Sequence, residues 1–103
     1  MVDPPLEQLV HLLQSYNPER IILFGSRARG EADEYSDYDL IVIKCTQRSF
    51  LERLQEMVPY LVAFDHPAEI LVYTPEEFEQ MGETGLGWLA RKEGLVVYER
   101  GSS

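Results

Sequence analysis

The chain has 103 residues, of which 45% are hydrophobic, and its formal net charge is −9 at pH 7. This length predicts a single folded domain over residues 1–103, and the hydrophobic fraction excludes intrinsic disorder. The negative charge disfavours nucleic-acid binding, which depends on Lys and Arg, but it suits a basic protein partner. The single cysteine, Cys45, excludes an intrachain disulfide, and we see no signal peptide or membrane-spanning apolar run, so we expect a cytoplasmic protein.

The first predicted element is a helix that begins at Pro4-Pro5 and ends at Asn17-Pro18. Its apolar residues recur at the spacing of one helix face: Leu6, Leu9, Val10 and Leu13. A buried strand follows over residues 20–24 and stops at Gly25, where a short helix is predicted to begin. The second strand covers residues 39–44, which are again mostly apolar and β-branched.

The alternation of helix and strand continues in the second half of the chain. Helical spacing predicts a helix over residues 50–61 from the following apolar residues: Phe50, Leu51, Leu54, Met57, Val58 and Leu61. A third strand covers residues 69–73. The next helix starts at Thr74-Pro75-Glu76-Glu77, with threonine as the N-cap and glutamate three residues later, as in a capping box.

The last predicted elements complete a small sheet. The helix that begins at Pro75 is predicted to break near Gly82. Residues 85–94 predict one or two further helical turns, and residues 95–99 predict a final short strand. This order predicts a mixed α/β or α+β fold, with three or four strands and with helices mainly on one face.

Gly25 and Ser26, at the end of the first strand, are candidate phosphate-binding residues. Gly25 allows a sharp turn or the close approach of a ligand. Ser26 would begin a helix, where free N–H groups attract anions. Arg27 and Arg29 add nearby donors, unless one of them only faces water.

Asp37 and Asp39 are candidate metal ligands. Two residues apart on a strand, their side chains point to the same face and can converge on one cation. Mg²⁺ prefers oxygen ligands and would offset the repulsion between the carboxylates. If the third strand is an in-register neighbour, Glu69 lies beside them, and three carboxylates can hold two metal ions about 4 Å apart for attack at phosphorus.

Each of these features has an ordinary structural explanation when it is taken alone. A Gly-Ser pair is usually a turn, most Asp-x-Asp pairs are solvated, and an acidic residue at a strand start, such as Glu69, usually lies on the surface. A generic acidic cation-binding domain would leave Gly25-Ser26 unexplained. The combination over one short stretch therefore favours a site that holds a nucleotide and its Mg²⁺ ions.

Residues 25–40, GSRARGEADEYSDYDL, match the pattern G-S-x-x-x-G-x(5)-S-D-x-D-L. This pattern resembles the signature of the polymerase-beta-like nucleotidyltransferase superfamily, and specifically of its minimal nucleotidyltransferase (MNT) group. A weaker resemblance covers nearly the whole chain, including the acidic third strand, TPEEFE at 74–79 and EGLVVYE at 93–99.

The resemblance implies the small nucleotidyltransferase fold and a role for each candidate residue. Gly25 and Ser26 would hold the β- and γ-phosphates of a nucleoside triphosphate. Asp37 and Asp39 would bind two Mg²⁺ ions, and Glu69 would bind the catalytic ion and help to deprotonate the acceptor hydroxyl. The reaction would move a nucleoside monophosphate onto that hydroxyl and release pyrophosphate.

The resemblance also implies a partner. MNT proteins are commonly encoded beside a helical HEPN protein and act as its antitoxin, and they can transfer AMP from ATP to a tyrosine of that toxin. Whether the chain forms homo- or hetero-oligomers stays open. The family more often has Asp at the position of Glu69, which puts the catalytic rate in doubt more than nucleotide binding. The alternative is a catalytically weak or inactive antitoxin that acts by contact alone.

Overall fold

The computed structural model describes residues 3–33, 36–81 and 92–101. Its helices are α1 (Pro4–Leu13), α2 (Ser26–Arg29), α3 (Phe50–Ala63) and α4 (Pro75–Met81), with a 3-10 turn at Gln14–Tyr16. Its strands are β1 (Arg20–Phe24), β2 (Tyr38–Ile43), β3 (Ala68–Tyr73) and β4 (Leu95–Glu99). Most of the predicted helix at 85–94 lies outside the described residues. None of the described helices is long and apolar enough to cross a membrane.

The four strands form one mixed sheet in the order β3-β2-β1-β4. Strand β1 is antiparallel to both β2 and β4, whereas β2 and β3 are parallel. Because β1 runs against β2, the end of β1 meets the starts of β2 and β3 at the same edge of the sheet. We call this edge, which carries Gly25, Asp39 and Glu69, the carboxylate edge.

Helices cover the two faces of the sheet unequally, which confirms the predicted architecture. Helices α1 and α3 pack on one face, over a cluster that includes Leu9, Leu13, Leu40, Val42 and Met57. Helix α4 covers the other face with Phe78, which packs on Ile22, Phe24, Ile41 and Ile43. Alternate residues of β2 thus serve opposite faces. Full burial of such side chains contributes about 1.5–3 kcal/mol each.

Side-chain caps fix where the helices begin. The predicted capping box of α4 is confirmed: Glu77 N–H donates to Thr74 Oγ1 at 3.1 Å, and Thr74 N–H donates to Glu77 Oε1 at 2.9 Å. Sequence reasoning missed two further caps. Asp3 Oδ1 accepts the Leu6 N–H at 2.9 Å at the start of α1, and Ser49 and Glu52 form a second capping box at the start of α3.

Only part of the predicted apolar face of α3 lies against the core: Met57 is buried and Leu61 packs on the core, but other residues of this face are turned away from it. Leu51 and Val58 are 65% and 52% exposed, whereas Arg53 is only 4% exposed. The Arg53 guanidinium donates to the Val72 carbonyl at 3.1 Å and to Glu77 Oε1 at 2.7 Å, so it joins α3 to β3 and α4. Arginine is tolerated at this buried position because its donors find acceptors there.

Candidate functional site

The carboxylate edge places Asp39 directly beside Glu69. The two residues are register partners on the parallel strands β2 and β3, which lie about 4.8 Å apart in any sheet. This confirms the prediction that the second and third strands are neighbours in register. Asp37 lies just before β2 and is exposed, two residues from Asp39 along the chain.

The charges of Glu69 and Asp37 act on the carboxylate of Asp39. Burial raises the pKa of Asp39, the charges of Glu69 and then Asp37 raise it further, and Arg29 opposes them. This order of causes means that ionised Asp39 lies in a partly desolvated position with more negative than positive charge around it. Such a carboxylate gains from a cation at the same edge.

The donor set at this edge fits Mg²⁺. Asp37, Asp39 and Glu69 offer only carboxylate oxygens, which are the ligands that this ion prefers. Among the described residues, no three His, Cys, Asp or Glu side chains enclose one point closely enough to hold a metal ion by themselves. Mg²⁺ does not require such a cage, since it usually takes one or two carboxylates and completes its shell with water and substrate phosphates.

Gly25 lies against Asp39, and no other residue fits this position well. Its backbone has φ 76° and ψ −160°, a conformation that L side chains rarely adopt. A Cβ built on Gly25 would overlap Oδ2 of Asp39 and lie 3.3 Å from its Cγ. The sharp turn expected at Gly25 is therefore present, and it brings the backbone into contact with the Asp39 carboxylate.

Ser26 is the first residue of α2, as predicted. The first N–H groups of a helix have no acceptor within that helix, so they can bind an anion beside the carboxylates. Helix α2 has four residues, and its dipole is correspondingly small. The proposed grip on phosphate thus depends on individual N–H groups and the Ser26 hydroxyl, and it stays a prediction.

The two arginines of α2 have different surroundings. The Arg29 side chain is 38% exposed and forms ion pairs with Glu31 and Glu93 at 2.6 and 3.1 Å. Its charge also acts on Asp39, so it lies within electrostatic reach of the carboxylate edge. The Arg27 side chain is only 14% exposed and is occupied on the other face of the sheet. A phosphate contact from either arginine stays a prediction.

One cavity among the described residues lies away from this site. It has a volume of about 350 Å³, and Glu19, Arg20, Ile43, Phe78, Glu99 and Arg100 contribute to its lining. Arg20 and Ile43 stand at the ends of β1 and β2 opposite to Gly25 and Asp39. The candidate site is at the carboxylate edge because the carboxylates of Asp39 and Glu69 meet Gly25 there, although the cavity lies elsewhere.

The fold and the carboxylate edge together define a nucleotidyltransferase domain. Residues 7–101 match the family model described as Polymerase beta, Nucleotidyltransferase. The chain therefore belongs to the polymerase-beta-like nucleotidyltransferase family, as the pattern at residues 25–40 indicated.

Solved structures of similar fold agree with this assignment. A candidate nucleotidyltransferase from Sulfolobus solfataricus superposes with a TM-score of 0.68 at 19% identity, covering 93% of this chain and 78% of that one. A toxin-antitoxin structure with AMP-PNP superposes with a TM-score of 0.60 at 18% identity, covering 92% and 73%. At these identities the likeness establishes the fold. No curated protein matches the chain in sequence.

Proposed function

We propose that this chain is a Mg²⁺-dependent nucleotidyltransferase that moves AMP from ATP onto a hydroxyl group of a protein partner. The observation that carries the proposal is the meeting of Gly25, Asp39 and Glu69 at one edge of the sheet. A triphosphate needs donors for its oxygens and carboxylates for its cations. The end of β1 supplies the donors at the same edge where β2 and β3 supply the carboxylates.

Each residue has a role in the proposed reaction. The Ser26 hydroxyl and the first N–H groups of α2 bind the β- and γ-phosphates, with Arg29 as a further donor. Asp37, Asp39 and Glu69 would hold two Mg²⁺ ions, which when bound would neutralise charge on the triphosphate and acidify the acceptor hydroxyl. Glu69 helps to remove the hydroxyl proton. The acceptor oxygen then bonds to the α-phosphorus, and the bond to the bridging β-phosphate oxygen breaks, which releases pyrophosphate.

The partner in this proposal is a basic HEPN-type toxin encoded nearby, and the chain is its antitoxin in the cytoplasm. A structural neighbour that is a toxin-antitoxin with AMP-PNP, an ATP analogue, supports both the partner and the nucleotide. The net charge of −9 supports a partner of opposite charge.

The first experiment is a calorimetric titration of ATP with Mg²⁺ into the wild-type protein and into Asp39→Asn. Asp65→Asn is a matched control, because it removes the same charge from an exposed residue in the loop before β3. We expect metal-dependent binding that is lost in Asp39→Asn and kept in the control. Equal binding by all three proteins would contradict the site.

The second candidate function is a binding module that masks its partner by contact, with little or no catalysis. Helix α3 favours it with an apolar stripe, Leu51, Val58 and Val62, that is 65%, 52% and 78% exposed. We call these residues the α3 stripe. A second copy of the chain would carry the same net charge of −9 and would be repelled. The charge therefore favours a basic partner protein as the occupant of this surface.

The α3 stripe is tested with Val58→Asp and with Gln8→Asp, an exposed substitution on α1. We expect Val58→Asp alone to weaken binding of the toxin encoded nearby. Unchanged binding of the toxin would exclude the stripe as its docking surface. A dimer of the free chain that Val58→Asp dissociates would assign the stripe to self-association instead.

A further inference from the structure

Arg27 donates hydrogen bonds to backbone carbonyls just before Asp37. Its Nε and Nη2 both donate to the Ser36 carbonyl, at 3.1 and 2.9 Å, and Nη2 also donates to the Asp33 carbonyl at 3.2 Å. Bonds from a charged guanidinium are stronger than neutral ones. The Ser36 carbonyl belongs to the peptide group that bears the Asp37 N–H, so Arg27 holds the backbone next to a predicted metal ligand.

The rest of the Arg27 guanidinium faces away from the carboxylate edge. Its Cζ lies 3.8 Å from the centre of the Tyr38 ring, and its Nη1 lies 3.6 Å from Asp3 Oδ2. Tyr38 is buried among the residues that α1 and α3 cover, on the face opposite to Asp39. A phosphate at the carboxylate edge would therefore compete with four existing partners for this arginine: two carbonyls, a carboxylate and a ring.

Tyr38 and Asp3, on the sheet face opposite to Asp39, hold Arg27 in place. The Tyr38 hydroxyl donates to both carboxylate oxygens of Asp3, at 3.2 and 3.1 Å. Asp3 is itself fixed as the N-cap of α1. Asp33 and Ser36 also bond to each other, because the Asp33 N–H donates to Ser36 Oγ at 3.1 Å. The guanidinium is thus clamped between a stacked ring, a carboxylate and two carbonyls.

We propose that Arg27 is a positioning residue, and not a phosphate ligand: it ties the backbone carbonyls of Asp33 and Ser36 to α2 and so sets Asp37 relative to Ser26. In the chain these two functional residues are eleven positions apart. Arg27 lies on α2 directly after Ser26 and grips the peptide directly before Asp37, so one side chain links the phosphate end of the site to the metal end. The catalytic meaning of this link rests on the proposed function.

The link is tested first by hydrogen exchange, which needs no nucleotide. The amides to follow are Ser36, which donates to Asp33 O, and Tyr38, which donates to Pro67 O. In Arg27→Gln we expect exchange at Ser36 and Tyr38 to rise about 10-fold, as for the loss of one charged hydrogen bond. Arg29→Gln, the same change two residues along the helix, should leave both rates unchanged. Unchanged exchange in Arg27→Gln would overturn the proposal.

Nucleotide binding then separates positioning from phosphate contact. For Arg27→Gln we expect the ratio of ATP to AMP affinity at saturating Mg²⁺ to stay at its wild-type value, while the Mg²⁺ concentration for half-maximal ATP binding rises about 10-fold. A fall in the ATP to AMP ratio would make Arg27 a phosphate ligand and overturn the proposal. Arg29→Gln, which removes a proposed phosphate donor, should lower that ratio.

Two further outcomes remain decisive. If Arg27→Gln does not fold, Arg27→Lys keeps the charge but loses the planar fork that grips one carbonyl with two N–H groups, and the same two readouts apply. If the wild-type protein binds no ATP, the proposed function fails. Hydrogen exchange then still decides whether Arg27 holds the backbone at Asp33 and Ser36.

Discussion

Strand β3 has carboxylates in opposite electrostatic situations at its two ends. At its start, Glu69 lies beside Asp39, whose pKa is raised by burial and by its acidic neighbours. Beyond its other end, in the first turn of α4, Glu77 accepts hydrogen bonds from the Arg53 guanidinium and the Thr74 N–H, which lower its pKa. The negative charge around Asp39 exceeds the positive charge, whereas Glu77 is paired with Arg53. We call the Arg53–Glu77 pair the compensated end of the strand.

The difference teaches what each end is for. A carboxylate whose pKa is lowered by its partners stabilises the fold, whereas one whose pKa is raised is destabilising when it is ionised. Carboxylates with raised pKa values are more common at functional sites than elsewhere. We therefore expect substitutions at the carboxylate edge to change activity and substitutions at the Arg53–Glu77 pair to change stability.

The largest expected effect is that of Asp39→Asn on AMP transfer. We expect the transfer rate to fall by about 10²- to 10³-fold, the scale for losing one group that stabilises the transition state. The fold should persist, and without Mg²⁺ the thermal midpoint at pH 7 should equal or exceed that of wild type, because the destabilising charge is gone. Transfer at the wild-type rate would contradict the metal assignment.

Arg53→Met should break the compensated end and leave the carboxylate edge intact. The substitution removes the guanidinium that donates to both the Val72 carbonyl and Glu77, at a cost of about 3 kcal/mol in the free energy of unfolding. Urea unfolding measures this loss. Under conditions where the variant is folded, its affinity for ATP with Mg²⁺ should match wild type; a selective loss of ATP affinity would erase the distinction between the two ends.

Glu69→Ala tests whether Glu can serve where Asp is more usual. We expect transfer to fall by about 10²-fold, as for loss of a general base, and ATP affinity to fall less. Steady-state kinetics and calorimetry on the same preparation separate the two effects. Glu69→Asp is the matched variant, and it should restore at least the wild-type rate. An unaffected rate in Glu69→Ala would mean that the third ligand lies elsewhere.

The smallest effect is a pH dependence at the compensated end. Because the pKa of Glu77 is lowered in the folded state, its contribution is complete above the unfolded value, about 4.3, and is lost as the pH falls through the folded pKa. Glu77→Gln should therefore be less stable than wild type at pH 7, by about 1 kcal/mol after solvent screening, with the gap closing in acid. Thermal midpoints at several pH values measure it; a gap that persists unchanged in acid would contradict this origin.

Much of the fold was predictable because its signals are local. Thr74 and Glu77 are three positions apart and form a capping box. Gly25 follows an apolar strand directly and allows the sharp turn that ends it. The orientation of α3 was not predictable in this way. Its apolar spacing favours Leu51 and Val58, but Arg53 is buried because Val72 and Glu77, far along the chain, offer acceptors.

The sequence by itself determined the family, through the pattern at residues 25–40, and it supplied the carboxylates and the Gly-Ser pair from which a nucleotide and metal site is predicted. Only the tertiary structure decided which groups meet. Pairing of Asp39 with Glu69 depends on β2 and β3 being parallel neighbours, and the different surroundings of Arg27 and Arg29 depend on Tyr38 and Asp3. Residue type sets what a side chain can do, but register and packing between distant segments set where it does it.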